Sequence, residues 1–238
     1  MVTEANTEVM RQALYRAAAR ATLAPSIQNS QPWRFVVRPG RLDLYADPGH
    51  AVPVIDPDGR QLAISCGAAL LGARLSLAAA GVGVRVEMLP EEAEQPDLLA
   101  SLVAGGAAAS DPSAHRLDAA ARSRRSNRRE FGGEQLPAAV LDAVHRAAHE
   151  EGAAVQFVLD LDDRIAVARL AQQAADAQAE DPKYRAELRA WTTDDPRRTD
   201  GVPTVAVPHV ASRDGSHDEV PMRGFDTTGG GQLPSETH

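Results

Sequence analysis

The segment from Asp58 to Gly81 constrains the fold more than any other part of the sequence. It reads DGRQLAISCGAALLGARLSLAAAG, which predicts a helix that begins near Asp58 and ends at Gly81. The side chains are small or apolar nearly all round such a helix, so it has no polar face to turn toward water. We therefore expect a central helix that other elements cover.

The residues before and after this helix predict both helices and antiparallel strands. Apolar residues at helical spacing indicate an amphipathic helix over residues 6–22. Alternating apolar residues on both sides of Pro39–Gly40 indicate a β-hairpin, and the same alternation indicates a strand over 84–88. Residues 90–115 are rich in Glu, Ala and Gly, and we interpret them as a loop with a short helical stretch.

The predicted order of elements then restarts. The elements expected next are a helix over 137–149, a strand over 155–159, and helices over 162–178 and 182–191. From residue 192 the periodicity fades, which indicates an extended loop, a lid or a tail. This order predicts an α+β fold rather than a doubly wound sheet. The predicted parts are a first half (1–115), a partial second half (116–191) and an extended segment (192–238).

Charge and cysteine content exclude several classes of function. The net charge of −8 argues against electrostatic binding of nucleic acid by the chain as a whole. Cys66 is the single cysteine, so no disulfide framework can form within one chain. His145 and His149 share a predicted helix face but lack an evident third ligand, so no metal site is expected. We expect a cytoplasmic protein, without a secretory signal and without a stretch long and unbroken enough to span a membrane.

A polar segment separates the first helix from the hairpin. It reads LAPSIQNSQPWRFVV over residues 23–37, and we call its residues 25–32 the polar corner. The side chains of Ser26, Asn29 and Gln31 can donate and accept hydrogen bonds, which suits the edge of a planar heterocycle. They can equally satisfy the backbone of their own turn, which is the simpler interpretation on local chemistry alone.

The second polar segment is rich in arginine. Residues 122–129 contain five arginines in an otherwise acidic chain. Guanidinium groups bind phosphate well, and Ser126 could add a hydroxyl. A solvated basic loop is the alternative interpretation. A nucleic-acid role is weakly supported, because the cluster is short and no aromatic residues are interleaved with it.

Taken together, these segments resemble the nitroreductase superfamily, whose members bind FMN. The superfamily motif APSxxNxQPW, followed by a strand, is matched here by Ala24, Pro25, Ser26, Asn29, Gln31, Pro32 and Trp33. A second superfamily segment, arginine-serine-arginine ending in phenylalanine, grips the flavin phosphate and ring edge. RRSNRREF, from Arg124 to Phe131, is similar to it.

The distribution of the two motifs resembles the Acg-like branch in particular. In an ordinary member the arginine motif comes first, the APS motif follows one helix later, and the chain dimerises. Here the first half has the APS motif and the second half has the arginine motif, while AAHEEGAAVQFVL stands where the APS motif would recur. In the Acg-like branch one chain with two such halves imitates the dimer and can form one FMN site. The resemblance implies a nitroreductase-like three-layer fold with a complete first half and a partial second half.

The resemblance also implies a function and a set of site residues. It implies an FMN-dependent oxidoreductase that is reduced by NAD(P)H and passes electrons to small nitroaromatic or quinone-like acceptors, without a proton-relay side chain. The residues implied to bind FMN are Pro25, Ser26, Asn29, Gln31, Arg124, Arg125, Ser126, Asn127, Arg128 and Arg129. Which arginine meets the phosphate and which the ring edge stays open.

Two other functions remain as alternatives. A loop within residues 192–226 could cover the flavin and make a non-catalytic FMN store. The chain could also be an inactive fragment, because the family pattern continues with further strands and a long helix after the position of His238. We therefore expect a truncated second half with exposed apolar surface and fast amide exchange over 155–159 and 162–178. A full-length chain would be a monomer that imitates a dimer, whereas a truncated chain could associate.

Overall fold

The computed structural model of the chain describes residues 4–90, 93–108, 111–128 and 134–206. These residues fall into two units. The first consists of residues up to 126 together with 186–204, and the second of residues 127–185 together with 205–206. The described residues contain six α-helices and one four-stranded sheet, so the predicted α+β class is confirmed.

The sheet belongs to the first unit and is antiparallel throughout. Its strands are β1 (Trp33–Arg38), β2 (Arg41–Ala46), β3 (Val82–Met88) and β4 (Leu98–Ala107), in the order β1-β2-β4-β3. The predicted hairpin is confirmed as β1 and β2. Its turn uses Gly40 at a φ of 70°, a backbone conformation that glycine adopts without steric cost.

The interpretation of residues 90–115 as a loop with a short helical stretch is wrong over residues 98–107. Leu98–Ala107 forms β4, which pairs with a strand on each side. Leu98, Ala100 and Leu102 alternate along it and are fully buried. The alternation was obscured because the strand also contains alanines and glycines, which are uncommon in strands.

Three helices pack with this sheet. They are α1 (Glu4–Ala21), α2 (Arg60–Ala79) and α3 (Pro112–Ser123). α2 contacts α1, α3 and the strands β2, β3 and β4, so the predicted central position of this helix is confirmed. The expectation that other elements cover it is confirmed only in part, because Ile64 is 53% exposed. Leu14 of α1 and Leu77 of α2 are fully buried, and each such leucine stabilises the fold by about 2 kcal/mol.

The prediction that no stretch could span a membrane is wrong as regards length and composition. α2 has 20 residues, and its most apolar part reaches a mean hydropathy of 1.7. The core helix of a soluble protein passes the same test, so this is weak evidence for a membrane span. In the structure, Cys66, Ala73 and Leu77 of α2 lie in the hydrophobic core.

Two glycines of α2 have contrasting surroundings. A Cβ atom at Gly72 would lie 3.3 Å from the Cα of Ala21, so the absence of a side chain allows α1 to approach closely. A Cβ atom at Gly67 would meet nothing within 4 Å. Only Gly72 therefore has a packing reason to be glycine.

The second unit contains helices but no strand among its described residues. The helices are α4 (Ala138–Glu150), α5 (Leu161–Glu180) and α6 (Pro182–Ala190), whose last residues belong to the first unit. The predicted helices are confirmed. The predicted strand over 155–159 is wrong, because this segment has no partner strand among the residues that the structure describes.

Apolar side chains of the second unit are exposed, as expected. Val144 of α4 is 45% exposed, Leu159 is 71% exposed and Leu170 of α5 is 66% exposed. The fast amide exchange expected in this region stays a prediction. So does the division of the chain into residues 1–115, 116–191 and 192–238.

Candidate functional site

The polar corner is a closed, strained turn. The Gln31 N–H donates to the Ser26 hydroxyl oxygen at 3.0 Å, and the Asn29 N–H donates to the Ser26 carbonyl at 3.0 Å. Gln28, Asn29 and Gln31 have φ values of 48°, 53° and 53°. Non-glycine residues rarely adopt this left-handed conformation, which costs about 1–3 kcal/mol each. The surrounding structure must therefore hold the corner in place.

The central helix α2 supplies two of these supports. The Ile27 N–H donates to the Ser65 hydroxyl at 3.1 Å. The Cys66 thiol donates to the Pro32 carbonyl, with Sγ 3.2 Å from the oxygen. Burial raises the pKa of Cys66 to about 12, so the thiol keeps its proton at neutral pH and acts as a donor, not as a nucleophile.

A segment far along the chain supplies the other supports. We call residues 194–204 the strap. The Asn29 side chain donates to the Gly201 carbonyl at 2.8 Å, and the Gly201 N–H donates to the Asn29 carbonyl at 3.0 Å. The Gln31 side chain donates to the Thr199 carbonyl at 2.6 Å. Ser26 therefore satisfies the backbone of its own turn, as the simpler interpretation predicts. The side chains of Asn29 and Gln31 instead bind the strap.

The strap has a fixed shape of its own. The Val202 N–H donates to the Trp191 carbonyl at 2.8 Å, which joins the strap to the end of α6. Gly201 has a φ of 80°, and a Cβ there would lie 3.0 Å from the same carbonyl oxygen. The Arg198 guanidinium donates to Asp200 at 2.9 Å and lowers the pKa of that carboxyl. The Thr204 hydroxyl likewise lowers the pKa of Asp194 by hydrogen bonding.

The start of the arginine segment lies beside the polar corner. Arg124 follows α3 and donates from Nη2 to the Leu23 carbonyl at 3.1 Å and from Nη1 to the Ser126 hydroxyl at 3.3 Å. Arg125 instead donates to the carbonyls of Arg122 and Arg124 at 3.2 and 2.8 Å. The structure thus brings Arg124 and Ser126 next to the corner, whereas the Arg125 side chain binds the backbone of the arginine segment itself.

The remaining predicted site residues are Pro25, Asn127, Arg128 and Arg129. Pro25 is exposed within the corner and has no backbone N–H to donate. Asn127 and Arg128 belong to the second unit. Arg129 and Phe131 lie outside the described residues. The role of all ten residues in binding a cofactor stays a prediction.

Sequence reasoning missed a cleft beside Gln31. The cleft has a volume of about 680 Å³ and is open to solvent. Its apolar walls come from α1 and β1, and its polar rim comes from His50 and the strap. The residues that line it are Tyr15, Ala18, Ala19, Thr22, Gln31, Trp33, Phe35, His50, Arg197, Arg198, Thr199 and Asp200. The available signal was the placement of Tyr15, Trp33 and Phe35 in a chain that is only 4% aromatic.

His50 connects the rim of the cleft to two carboxylates. Its Nδ1 lies 2.9 Å from Asp47 Oδ2, and its Nε2 lies 3.9 Å from Asp200 Oδ2. Asp47 precedes the short helical turn Pro48–His50, and Asp200 belongs to the strap. No group of three or more possible metal ligands occurs in the part of the chain that the structure describes.

The donor set of this region fits a flavin mononucleotide. A phosphate needs a guanidinium and hydroxyl donors, which Arg124 and Ser126 present on an exposed surface. The edge of a flavin ring needs amide donors and acceptors, which Asn29 and Gln31 carry. Their side-chain N–H groups are engaged with the strap, so these two residues would exchange partners when they bind a ring.

Comparisons with known proteins identify the relatives of this chain. It is 32% identical over 172 residues to a Mycobacterium tuberculosis protein provisionally named an NAD(P)H nitroreductase, which is 72% of this chain and 48% of that protein. It is 35% identical over 85 residues to the protein of the same organism provisionally named NAD(P)H nitroreductase Acg, which is 36% of this chain and 26% of Acg. The chain is related to the Acg-like nitroreductases. The resemblance described above is thereby confirmed.

The remaining comparisons concern a further M. tuberculosis protein and a solved structure. An uncharacterized protein of M. tuberculosis is 31% identical over 184 residues, 76% of this chain and 53% of its own length. The chain thus spans about half the length of the curated relatives it matches. A solved nitroreductase family structure from Streptococcus pneumoniae covers 56% of this chain and 87% of its own, at 17% identity and a TM-score of 0.34. No family model matches the chain.

Proposed function

We propose that this chain binds FMN at the polar corner and acts as an NAD(P)H oxidoreductase of the nitroreductase type, with nitroaromatic or quinone-like acceptors. The similarity to proteins provisionally named NAD(P)H nitroreductases supports the reaction class. FMN, when bound, supplies the hydride and electron chemistry, and the protein supplies binding and orientation.

One contact carries the proposal. The Arg124 guanidinium lies 3.1 Å from the carbonyl of Leu23, two residues before Pro25. The two segments that resemble flavin-binding motifs therefore meet within one unit, although about a hundred residues separate them in sequence. Two segments that form one site must lie close together, and this contact meets that requirement.

The proposed roles follow from the chemistry of each side chain. Arg124 and Ser126 bind the phosphate, because a guanidinium and a hydroxyl give charge-assisted hydrogen bonds to it. Ser26, Asn29 and Gln31 bind the polar edge of the ring and set its orientation. Any further arginine at the ring edge would stabilise negative charge that develops there on reduction.

The cleft beside Gln31 supports an aromatic acceptor. Trp33 and Phe35 form part of its walls, and Ala18 and Ala19 leave room for a flat ring. Aromatic side chains favour stacked or edge-to-face contacts with other rings. We place the acceptor in this cleft, next to the amide of Gln31.

An absorption titration tests the proposed function. FMN is added stepwise to the purified protein, and NADH or NADPH is then added without oxygen. We expect saturable binding at one FMN per chain, loss of the flavin absorption band with the nicotinamide, and its return when a nitroaromatic is added. An FMN spectrum and fluorescence that stay unchanged at excess protein would overturn the proposal.

A non-catalytic FMN store is the second candidate, and one observation favours it. The strap binds both Asn29 and Gln31, so the corner is covered by residues 199–201. A cover that stays in place over bound FMN would exclude nicotinamide and acceptor. The same titration separates the two functions, because a store would bind FMN but keep its absorption band when NADH and NADPH are added.

A further inference from the structure

Ser65 occupies a connecting position between the central helix and the polar corner. Its side chain is buried, with 4% of the residue exposed. The hydroxyl donates to the Gln61 carbonyl at 2.6 Å and accepts from the Ile27 N–H at 3.1 Å. Because the donated proton fixes the rotation of the hydroxyl, its lone pairs are held toward Ile27.

This single hydrogen bond orients two groups of the corner. The Ile27 N–H and the Ser26 carbonyl belong to one peptide unit, which is planar. The Ser26 carbonyl accepts from the Asn29 N–H at 3.0 Å. The Ser26 hydroxyl accepts from the Gln31 N–H at 3.0 Å. Ser65 thus fixes the peptide plane that contains the Ser26 carbonyl, and the Cα of Ser26, which carries the hydroxyl side chain, lies in the same plane.

The corner needs such an external support. Gln28, Asn29 and Gln31 all have left-handed backbone conformations, and none of them is glycine. Conformations of this kind persist only where the surrounding structure over-determines them. The hydrogen bond from Ile27 to Ser65 is partly buried and Ser65 itself is buried, so loss of the hydroxyl would leave the Ile27 N–H with poor access to a replacement acceptor.

We propose that Ser65 is a positioning residue of the site: it holds the Ser26–Ile27 peptide so that Asn29 and Gln31 present their amides to the ligand. The part of this proposal that concerns FMN rests on the proposed function. The part that concerns the shape of the corner does not, because it can be measured in the protein without FMN.

Three variants test the inference. Ser65→Ala removes the acceptor. Ser65→Thr retains a hydroxyl that can bond the carbonyl four residues before it, as threonine does in helices. Ser76→Ala is the matched control, because Ser76 is equally buried, at 4% exposure, and lies three turns further along the same helix.

Amide exchange and FMN affinity are measured for each variant. We expect Ser65→Ala to speed exchange at Ile27 and Gln31 at least about tenfold and to weaken FMN binding about tenfold, the effect of about 1.4 kcal/mol. The absorption band of bound FMN should also shift, which a loss of global stability would not cause. Ser65→Thr should restore all three properties toward the wild-type values, and Ser76→Ala should leave them unchanged.

The possible results separate this inference from the proposed function. Unchanged exchange at Ile27 and Gln31 in Ser65→Ala would overturn the positioning role, whatever the result with FMN. Faster exchange with an FMN affinity within twofold of wild type would overturn the role of Ser65 in the site and leave the proposed function intact. A wild-type protein that binds no FMN would overturn the proposed function and the part of this inference that concerns FMN. The amide exchange rates would still decide whether Ser65 holds the shape of the polar corner.

Discussion

Asn29 and Gly201 exchange a reciprocal pair of hydrogen bonds across 172 residues of sequence. The Asn29 side chain donates to the Gly201 carbonyl at 2.8 Å, and the Gly201 N–H donates to the Asn29 carbonyl at 3.0 Å. The strap is thereby attached to a residue that we assign to the flavin site. The Asn29 side chain therefore serves both to attach the strap and, in the proposed function, to bind the flavin.

Replacement of Gly201 by alanine should detach the strap. The φ of 80° is strained for alanine, and the new Cβ would lie 3.0 Å from the Trp191 carbonyl. We expect a loss of at least about 1 kcal/mol in local stability. Limited trypsin digestion, with mass spectrometry to locate the cut, should show faster cleavage after Arg197 or Arg198. Gly40→Ala is the control, since its φ is 70° but its Cβ would meet nothing within 4 Å. Equal cleavage rates in the two variants would contradict the prediction.

Replacement of Arg124 by glutamine should weaken FMN binding at least about tenfold, because a phosphate would lose a charge-assisted hydrogen bond. Fluorescence quenching of FMN measures the affinity. Arg122→Gln is the matched control, since it removes one positive charge from the same segment at an exposed residue that is not among the predicted site residues. If Arg122→Gln weakened binding as much as Arg124→Gln, net charge rather than position would explain the effect.

Alanine substitution at the two glycines of α2 should have opposite effects on stability. Gly67→Ala should stabilise the protein by about 0.5–1 kcal/mol, because alanine is the better helix former and nothing obstructs its Cβ. Gly72→Ala should destabilise it by about 1–3 kcal/mol, because the Cβ would crowd the backbone of α1 at Ala21. Urea denaturation followed by circular dichroism measures both. A stabilising Gly72→Ala would show that α1 can move away.

Filling the cleft should affect the acceptor more than the nicotinamide. Ala18 lines the cleft, so Ala18→Phe would occupy the space that we assign to an aromatic acceptor. We expect the KM for a nitroaromatic to rise about tenfold, while the rate of FMN reduction by NAD(P)H changes little. Ala119→Phe on the exposed surface of α3 is the control. An unchanged KM in Ala18→Phe would place the acceptor elsewhere.

Attachment of the strap should depend on pH through Asp194 and Asp200. Hydrogen bonds hold the pKa of each carboxyl below its ordinary value. A carboxyl with a depressed folded pKa contributes stability that is present above its unfolded pKa, about 3.9, and is lost as the pH falls through the folded value. Amide exchange in the strap should therefore accelerate below about pH 4 relative to neutral pH, after correction for the intrinsic exchange rate. Asp200→Asn should weaken this dependence, and an unaltered pH profile would count against it.

The elements with strong periodicity were predictable from the sequence, and the site was predictable only in part. α2 and the β1–β2 hairpin follow directly from uniform apolarity and from alternation around Gly40. The bond from Gln31 to Ser26 is local, so turn chemistry anticipates it. The contacts of Asn29 and Gln31 with the strap depend on where a distant segment folds, which no local pattern contains.

The two errors in strand assignment have opposite causes. β4 is composed partly of Ala and Gly, so its sequence has weak strand character, but strands on both sides stabilise it. Residues 155–159 alternate as a strand should, but they have no partner strand within the described part of the chain. Pairing, which is a property of the whole fold, decided both cases.

The position of β4 between β2 and β3 has a consequence for the folding kinetics. Asp43 of β2 pairs with Ser101 of β4, 58 residues later, and α2 lies in the loop that this pairing closes. The pairs β1–β2 and β3–β4 join strands that are close in sequence, so they can form early. Closure of the long loop between β2 and β4 is slow, because the chain loses conformational entropy before the new contacts compensate for it. We expect the Ser65 hydroxyl to reach Ile27 only once α2 is enclosed. The polar corner would then acquire its strained shape in the rate-limiting step, and the strap would attach after it.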